Sequence, residues 1–278
     1  MECKEPEFGE LGPYDRMIPA YVRWAEPVSV ALAEHLLAEC ALPAGAALLD
    51  HGAGTGGFAV TAAERGFRVD GIDISPLQAD YLAGRLHPYT GSRSVIMDGA
   101  APLAYPSAHF DGAFSLFSAL FFGPATLPAL TELGRVVRPG GPVAVAHWAD
   151  ANGSPLHDIV LRAIHEIPEV FPEPLELPLD YLKADELGGL MSAAGLDDVR
   201  VKPIDVGTPL PPARDFLREV LALFESLPPI RALNFAQLHR LSEAVEQEVR
   251  RVEAEVGPRP AAKVHVAYGR VPEPYAAA

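Results

Sequence analysis

Residues 46–57 read AALLDHGAGTGG, and this stretch decides the fold. The apolar run at residues 46–49 predicts a short buried strand that ends on an acid, Asp50. The glycines that follow permit a tight turn with positive φ, and they allow a ligand to approach the backbone closely. A helix is predicted from about Phe58 to Arg65, so a strand, a glycine-rich turn and a helix follow one another in that order.

The same alternation continues along the chain. Residues 14–40 are predicted to be helical, with Pro19 and Pro27 as breaks, and a helix that Ser75 caps and Pro76 opens extends to about His87. Strand–helix alternation at this spacing predicts parallel strands joined by crossover helices. The further predicted strands are residues 67–73, 94–97, 110–115, 143–147, 199–204 and 264–269, and the further predicted helices are residues 125–137, 155–167, 183–194, 213–226 and 235–255.

Composition narrows the classes of function. Of the 278 residues, 49% are hydrophobic and 21% charged, as in ordinary soluble proteins, and no run reaches the length of a membrane helix. The net charge of −15 argues against a general grip on nucleic acid. The acidic first residues lack an apolar signal core, and two cysteines make no disulfide framework, so we expect a cytoplasmic protein. The nine histidines show no metal-site spacing, so no metal is expected.

Acids follow three consecutive predicted strands. Asp50 precedes the glycines, where a carboxylate suits the ammonium of a bound amino acid better than a pyrophosphate. Asp73 ends the second strand, where it can accept hydrogen bonds from ribose hydroxyls, and Asp98 follows the third, where it can accept from an exocyclic amine. The glycines also satisfy G-x-G-x-x-G, so dinucleotide binding stays open, as do a turn without a ligand and capping or turn roles for Asp73 and Asp98.

With these motifs in order, the chain resembles class I S-adenosylmethionine-dependent methyltransferases, and most of all the ubiquinone/menaquinone-type small-molecule subgroup. The resemblance runs from about Tyr14 to Trp148, through residues 48–56, 70–76, 98–103, 109–115 and 133–141. It implies S-adenosylmethionine as the cofactor. The residues that it places at the cofactor are Tyr14, Tyr21, Asp50, Gly52, Ala53, Gly54, Asp73, Ile74, Asp98, Gly99, Ala100, Ser115 and Leu116.

The resemblance also assigns roles. Asp50 and the backbone of the glycine turn would hold the methionine portion, Asp73 the ribose and Asp98 the adenine amine, with Ile74 packed on adenine and Ala100 close to it. Ser115 and Leu116 would line the sulfonium side, and Tyr14 and Tyr21 would close over the cofactor, unless they are core residues. His51 departs from the family, which has a small or aliphatic residue there, so a role in the site stays open.

Candidates for acid–base chemistry are few. His147 ends the fifth predicted strand and could act as a general base on a hydroxyl acceptor, although hydrogen bonding at the strand end is the simpler interpretation. His157, His165 and Glu166 could face an acceptor, but we expect them on the solvated surface.

We therefore predict an α/β protein with a Rossmann-like, seven-stranded, mostly parallel sheet, helices on both faces and a helical cap. A single domain would span residues 1–278, with the cofactor-binding core at 14–148, acceptor-binding cap segments at 149–195 and 208–260, and the last two strands at 196–207 and 261–271. The expected function is methyl transfer, with oxygen as the expected acceptor atom, to a small, largely apolar metabolite of bacterial secondary biosynthesis.

Other possibilities stay open. We expect neither nucleic acid nor a membrane as a partner, and a homodimer is left open. The alternatives are a protein that binds the cofactor but catalyses another reaction or only binds, and a NAD-dependent oxidoreductase.

Overall fold

A seven-stranded sheet organises the computed structural model, which describes residues 13–150, 152–173, 175, 182–224 and 227–273. The strand order is β3-β2-β1-β4-β5-β7-β6. The strands are β1 (Ala47–His51), β2 (Arg68–Asp73), β3 (Arg93–Ile96), β4 (Gly112–Leu116), β5 (Pro142–Trp148), β6 (Asp197–Gly207) and β7 (Ala261–Arg270).

Five of these strands, β1 to β5, are mutually parallel, whereas β7 pairs antiparallel with both β5 and β6. The predicted mostly parallel sheet is therefore confirmed. The chain order reverses between β1 and β4, and ligands of open α/β sheets bind at such a switch point, beyond the carboxyl ends of the strands. The glycine turn lies at this point because it directly follows β1.

Helices cover both faces of the sheet. On one face a buried cluster includes Leu32, Phe58 and Phe114, and on the other Leu130, Val145 and Met191 share a second cluster. The helices are α1 (Pro13–Arg16), α2 (Ile18–Ala20), α3 (Glu26–Cys40), α4 (Gly57–Glu64), α5 (Pro76–Leu86), α6 (Thr126–Val136), α7 (Pro155–His165), α8 (Ala184–Ala193), α9 (Phe216–Val220), α10 (Pro228–Arg231) and α11 (Phe235–Val256).

Local sequence signals explain several helix boundaries. The Ser75 hydroxyl accepts a hydrogen bond from the Gln78 amide at 3.2 Å, so Ser75 caps α5 as predicted. The Asn234 and Gln237 side chains form a capping box at the start of α11. Residues 213–226 form a broken segment of 3₁₀ turns and α9, and its last two residues lie outside the described part of the chain. Within that part, no helix has the length and apolar character needed to span a bilayer.

A third apolar cluster lies above the sheet. It joins α7, α9 and α11 through residues such as Ile159, Phe216 and Val245. Trp24 belongs to the same cluster, although it comes from the N-terminal helical segment. Its indole Nε1 donates to the Glu219 carboxylate of α9 at 3.2 Å. The N-terminal segment is therefore anchored to these helices by both packing and a hydrogen bond.

The N-terminal segment is a helix with a local irregularity. Residues Tyr21–Ala25 form a π-helical turn between α2 and α3. The sequence predicted helical structure over residues 14–40 with breaks at Pro19 and Pro27, but it gave no sign of this turn. The extra residue of a π turn changes which side chains face inward, and such turns are common at functional sites. This turn presents Trp24 to the cluster above the sheet, while Tyr21 faces the cavity described below.

Glu26 connects this segment to the glycine turn. Its carboxylate is buried and accepts hydrogen bonds from Arg85 Nη1 at 2.8 and 3.0 Å, and the Thr55 hydroxyl also donates to it. The same Arg85 nitrogen donates to the Thr55 carbonyl at 2.7 Å. Helix α3, the glycine turn and α5 thus meet at one charged group. Buried charges occur where a partner compensates the lost hydration, and this cluster meets that condition.

Removing the Glu26 charge should destabilise the protein. We expect Glu26→Ala to lower the free energy of unfolding by about 2 kcal/mol, because it leaves the Arg85 guanidinium and the Thr55 hydroxyl without their acceptor. Urea denaturation measures the change. Glu34→Ala is the matched control, since Glu34 lies on the same helix in an exposed pair with Arg65 and should change stability by about 0.5 kcal/mol or less. Equal losses in the two variants would contradict this role of Glu26.

Candidate active site

The three strand-end acids occupy different environments. The Asp50 side chain is buried, and its Oδ2 accepts from the Ala59 amide at 3.0 Å. Asp73 lies on the neighbouring strand and accepts from the Gly54 amide at 2.8 Å and the Ser75 amide at 2.9 Å. Asp98 is exposed and accepts from the amide of Ala100 at 2.9 Å. All three follow or end parallel strands and therefore lie at one edge of the sheet.

The glycine turn owes its shape to two close approaches. Gly52 has φ = 72°, and a Cβ atom there would lie 1.9 Å from the Ser118 hydroxyl oxygen. Gly54 has φ = 54°, and a Cβ there would lie 2.9 Å from Gln78 Oε1. Conformation favours glycine at both positions, and at residue 52 the Ser118 side chain also leaves no space for a Cβ atom. The amides of Gly52 and Ala53 both donate to the Ile72 carbonyl at 2.9 Å, so they hold the turn against β2.

Burial makes Asp50 an unusual carboxylate. Its pKa is raised to about 8, mainly because burial removes water from the carboxylate. The hydrogen bond from the Ala59 amide opposes this shift, and the nearby Asp73 charge adds to it. Burial also raises the pKa of Asp73, although its amide hydrogen bonds oppose the shift. The pKa values of both acids at the turn are therefore raised. A cationic ligand bound there would favour their ionised forms, because a nearby positive charge stabilises a carboxylate.

His51 joins three elements at this edge. Its Nε2 lies 3.0 Å from the Gly99 carbonyl and its Nδ1 lies 3.3 Å from the Ser115 hydroxyl. Because a carbonyl only accepts, Nε2 must carry the proton, and Nδ1 is left as the unprotonated nitrogen of a neutral ring. Burial, which lowers the histidine pKa, favours this neutral tautomer. His51 therefore fixes the loop after β3 to the ends of β1 and β4.

The remaining predicted cofactor residues divide by exposure. Ile74 is 58% exposed at the end of β2, so an apolar surface is available beside Asp73. Ser115 and Leu116 are buried, and the Ser115 hydroxyl donates to the His51 carbonyl at 3.0 Å and accepts from the Ala119 amide at 3.1 Å. The side chain of Tyr14 lies outside the described part of the chain.

The position of His147 does not suit the general-base role that the sequence analysis considered for it. It is entirely buried on β5, where its ring meets Phe121 edge-on at a centroid distance of 4.9 Å, and it does not line the cavity beside the site. This position favours a packing role over that of a general base.

An apolar cavity of about 180 Å³ adjoins the strand ends. The N-terminal segment, the turns after β4 and β5, and the start of α7 enclose it. Phe117 follows β4 with φ = 53°, a conformation that is rare for a bulky residue, and its ring stacks on Trp148 at 4.2 Å. The lining residues are Met17, Tyr21, Trp24, Ala25, Val28, Ser29, Phe117, Phe121, Trp148, Ser154, Pro155, Leu156, His157, Thr208 and Leu223.

Tyr21 connects the cavity with the acids. It lines the cavity, and burial raises its pKa to about 12. The Ser29 hydroxyl makes a hydrogen bond that opposes this shift, whereas the charges of Glu26, Asp50 and Asp73 add to it. Tyr21 is therefore within electrostatic reach of both acids at the glycine turn, at the boundary between a charged and an apolar region.

Sequence reasoning missed Glu26, and it named His157 as a possible acceptor contact but favoured a surface position for it. His165 and Glu166 are exposed as expected, but the expectation of a surface position is wrong for His157, which lines the cavity between Trp148 and Phe224. Phe224 comes from a distant segment, so no local pattern indicates this burial. Glu26 stands in an ordinary first-turn position of α3, and only its distance to Arg85 reveals the charge cluster.

The raised Asp50 pKa gives stability a definite pH dependence. In the unfolded chain the carboxyl ionises near pH 4, whereas in the folded protein it keeps its proton to about pH 8. The folded state binds more protons across this interval, so the ligand-free protein should lose stability as pH rises through it. Urea midpoints at several pH values measure the slope.

Asp50→Asn should flatten this slope, while Asp80→Asn, a change at an exposed site on α5, should leave it intact. An unchanged slope in Asp50→Asn would show that other groups cause the dependence.

His51→Leu should cost stability through unmet hydrogen bonds. The substitution removes the donor to the Gly99 carbonyl and the partner of Ser115, so we expect a loss of about 1–2 kcal/mol in the free energy of unfolding. Chemical denaturation checks the value against His87→Leu, an exposed histidine that should give little change. A stable His51→Leu would instead indicate a packing role that an aliphatic side chain fills equally well.

Metal chemistry finds no support in the described residues, where no group of three or more histidine, cysteine or acidic side chains could hold an ion. The site consists of acids, glycines and an apolar cavity.

Comparison with known proteins agrees with this architecture. A family model described as a methyltransferase domain matches residues 48–141. A 2-methyl-6-phytyl-1,4-hydroquinone methyltransferase from Synechocystis sp. is 38% identical over 108 residues, which cover 38% of this chain and 33% of that protein. The O-methyltransferase rstn1 from Aspergillus nomiae is 30% identical over 154 residues, which cover 54% and 64%. The chain thus spans less than two thirds of the length of either relative.

Among solved structures, the (4+2)-cyclase SpnF aligns with a TM-score of 0.56 at 21% identity, covering 88% of this chain and 82% of that chain. At this identity the likeness shows the fold. Residues 48–141 match a methyltransferase domain, and the strand order is the one typical of class I, S-adenosylmethionine-dependent methyltransferases, so this part of the chain is a methyltransferase domain of that fold.

Proposed function

We propose that this protein transfers the methyl group of S-adenosylmethionine to oxygen on a small, largely apolar metabolite of secondary biosynthesis. The observation that carries the proposal is the position of the glycine turn, with buried Asp50 and partly buried Asp73, near an apolar cavity. Tyr21 lies at the boundary between them. A charged cofactor and a neutral acceptor would thus have adjoining sites of matching chemistry.

The residues at the turn fit the cofactor. Its ammonium group would lie beside the buried Asp50 side chain as a cationic partner, and this positive charge would favour the ionised carboxylate. Asp73 uses both oxygens for backbone amides, but each keeps a second lone pair for a ribose hydroxyl. The exposed Ile74 side chain offers an apolar face to a base, and Asp98 offers an acceptor to an exocyclic amine.

S-adenosylmethionine supplies a methyl group bound to positively charged sulfur. The chain's own residues have mainly to hold the acceptor in line and exclude water. Holding two reactants in a reactive arrangement is worth about 7–11 kcal/mol of barrier. The aromatic walls formed by Phe117, Trp148 and Trp24 serve both purposes, because they are fixed by packing and offer no hydrogen bonds to water at their faces.

The proposal of a neutral acceptor rests on the lack of charged side chains among the described residues that line the cavity. No described residue lining the cavity is a lysine, arginine, aspartate or glutamate, which disfavours a phosphorylated acceptor. We assign a share of acceptor binding to the segments 149–195 and 208–260, because α7, Thr208 and Leu223 contribute walls, while the cofactor core at 14–148 supplies the remaining walls of the cavity. Oxygen as the acceptor atom is supported by the similarity to an O-methyltransferase.

A second candidate function is another reaction on the same fold. The structural likeness to SpnF, a cyclase, supports it, because it shows that this fold is not confined to methyltransferases. Tight cofactor binding without consumption of S-adenosylmethionine by hydroxylated acceptors would favour this candidate.

Cofactor binding should depend on Asp73. We expect calorimetry to show binding of S-adenosylhomocysteine by the wild type, and a loss of at least tenfold in affinity for Asp73→Ala, which removes the acceptor of the ribose hydroxyls and of the Gly54 amide. Asp80→Ala, an exposed acid on α5, is the control and should bind like the wild type.

A parallel titration with NAD separates the two cofactor classes. Binding of NAD without binding of S-adenosylhomocysteine would overturn the methyltransferase proposal and make the glycine turn a dinucleotide site. Consumption of S-adenosylmethionine with a panel of phenols then tests methyl transfer itself.

A further inference from the structure

His157 stands out among the groups that line the cavity. It lies near the start of α7, and its ring meets Trp148 and Phe224 edge-on at centroid distances of 6.2 and 5.5 Å. Its Nδ1 atom is buried and has no hydrogen-bond partner among the described residues. A buried polar atom without a partner carries a desolvation cost of about 1–3 kcal/mol, so its retention calls for a ligand or another compensating group.

The hydroxyl groups of the cavity have partners within the protein. The Ser154 hydroxyl accepts from the His157 amide as the cap of α7, and the Thr208 hydroxyl donates to the Val206 carbonyl at 3.4 Å. Ser29 and Tyr21 share a hydrogen bond. Among the described lining residues, His157 Nδ1 is therefore the buried polar side-chain atom for which the fold supplies no hydrogen-bond partner.

The protonation state of the His157 ring decides which kind of hydrogen bond an occupant of the cavity can form with it. Burial alone lowers the pKa of His157 to about 4, and no charged group opposes or adds to the shift. The imidazole is neutral at physiological pH, with one nitrogen lone pair that accepts a hydrogen bond. A weak base of this kind is poorly matched to removing a proton from a phenol, because efficient general bases have pKa values near the working pH.

The size of the cavity limits the occupant further. An engineered apolar cavity of about 150 Å³ in another protein holds benzene, so about 180 Å³ accommodates one substituted six-membered ring. The walls are aromatic on several sides, with Phe117, Phe121 and Trp148 among them. Flat rings pack well against such faces.

We propose that the cavity binds a neutral, single-ring aromatic alcohol, whose hydroxyl donates a hydrogen bond to His157. This inference rests on the proposed function, because it takes the cavity as the acceptor site and names the class of acceptor that binds there. It concerns recognition, and His157 acts as a specificity residue that orients the hydroxyl without serving as the base of the reaction.

The test compares phenol with toluene as matched probes, because they differ in a hydroxyl and a methyl group of similar size. Saturation-transfer NMR or calorimetry gives their affinities for the full chain without any methyl transfer. We expect the ratio of phenol to toluene affinity to fall about tenfold in His157→Phe, which removes the hydrogen-bond partner and keeps a ring.

Two variants make the comparison specific. His157→Asn should restore most of the ratio, because its side chain places an amide near the position of Nδ1. His165→Phe lies on the same helix at an exposed site and should match the wild type. Thermal melting checks that each variant is folded, and His157→Asn keeps the test decisive if His157→Phe fails to fold. A wild-type ratio in folded His157→Phe, or a His157→Asn ratio as low as that of His157→Phe, would overturn the proposal.

Titration of the same samples with S-adenosylhomocysteine separates this inference from the proposed function. Binding of the cofactor product with no preference between the probes would overturn the His157 inference alone. Preference for phenol that depends on His157, without any binding of S-adenosylhomocysteine, would support the aromatic-alcohol site and overturn the proposed methyl transfer. With phenolic acceptors, a base role would instead appear as loss of kcat in His157→Asn with KM unchanged, and that result would also contradict the proposal.

Discussion

The buried Glu26 carboxylate determines how the candidate site is enclosed. It receives hydrogen bonds from Arg85 and Thr55, so it fixes the start of α3 against both the glycine turn and α5. The residues before Glu26 extend across the carboxyl edge of the sheet and contribute Tyr21 and Trp24 to the cavity wall. Trp24 packing, its bond to Glu219, the Arg23–Glu219 ion pair and the hydrogen bond from Ser75 to Asp15 hold that segment at further points.

Electrostatics divides the site into two regions. On the turn side, burial raises the pKa of Asp50 and the Asp73 charge raises it further, while burial and the Asp15 charge raise the pKa of Asp73. On the cavity side, aromatic and aliphatic groups surround a neutral imidazole, and no described lining residue carries a full charge. A ligand pair made of one cation and one neutral molecule matches this division, which is the physical basis of the proposed function.

The two histidines at this edge illustrate how position decides chemistry. His51 is neutral because it is buried, but both ring nitrogens have partners in the fold, and its contribution is to hold the loop that contains Asp98. His157 is also neutral because it is buried, but it faces a cavity. The same side chain, with the same direction of pKa shift, thus has a structural role in one place and a proposed recognition role in the other.

The sequence by itself determined the features that depend on local order. The AALLDHGAGTGG stretch specified a strand and a turn, because an apolar run precedes glycines, which adopt positive φ at residues 52 and 54 without the strain that a side chain would add. Ser75 could be recognised as a cap, and alternation of strands and helices predicted the parallel sheet together with its edge where Asp50, Asp73 and Asp98 meet.

Only the tertiary structure decided which groups are buried and what they meet. It paired Glu26 with Arg85, turned His51 toward Gly99, enclosed His147 and brought Phe224 over His157. These contacts join residues far apart in the chain, and no periodicity or spacing encodes them. Burial also sets the pKa of each group, because it depends on how much water the surrounding packing removes.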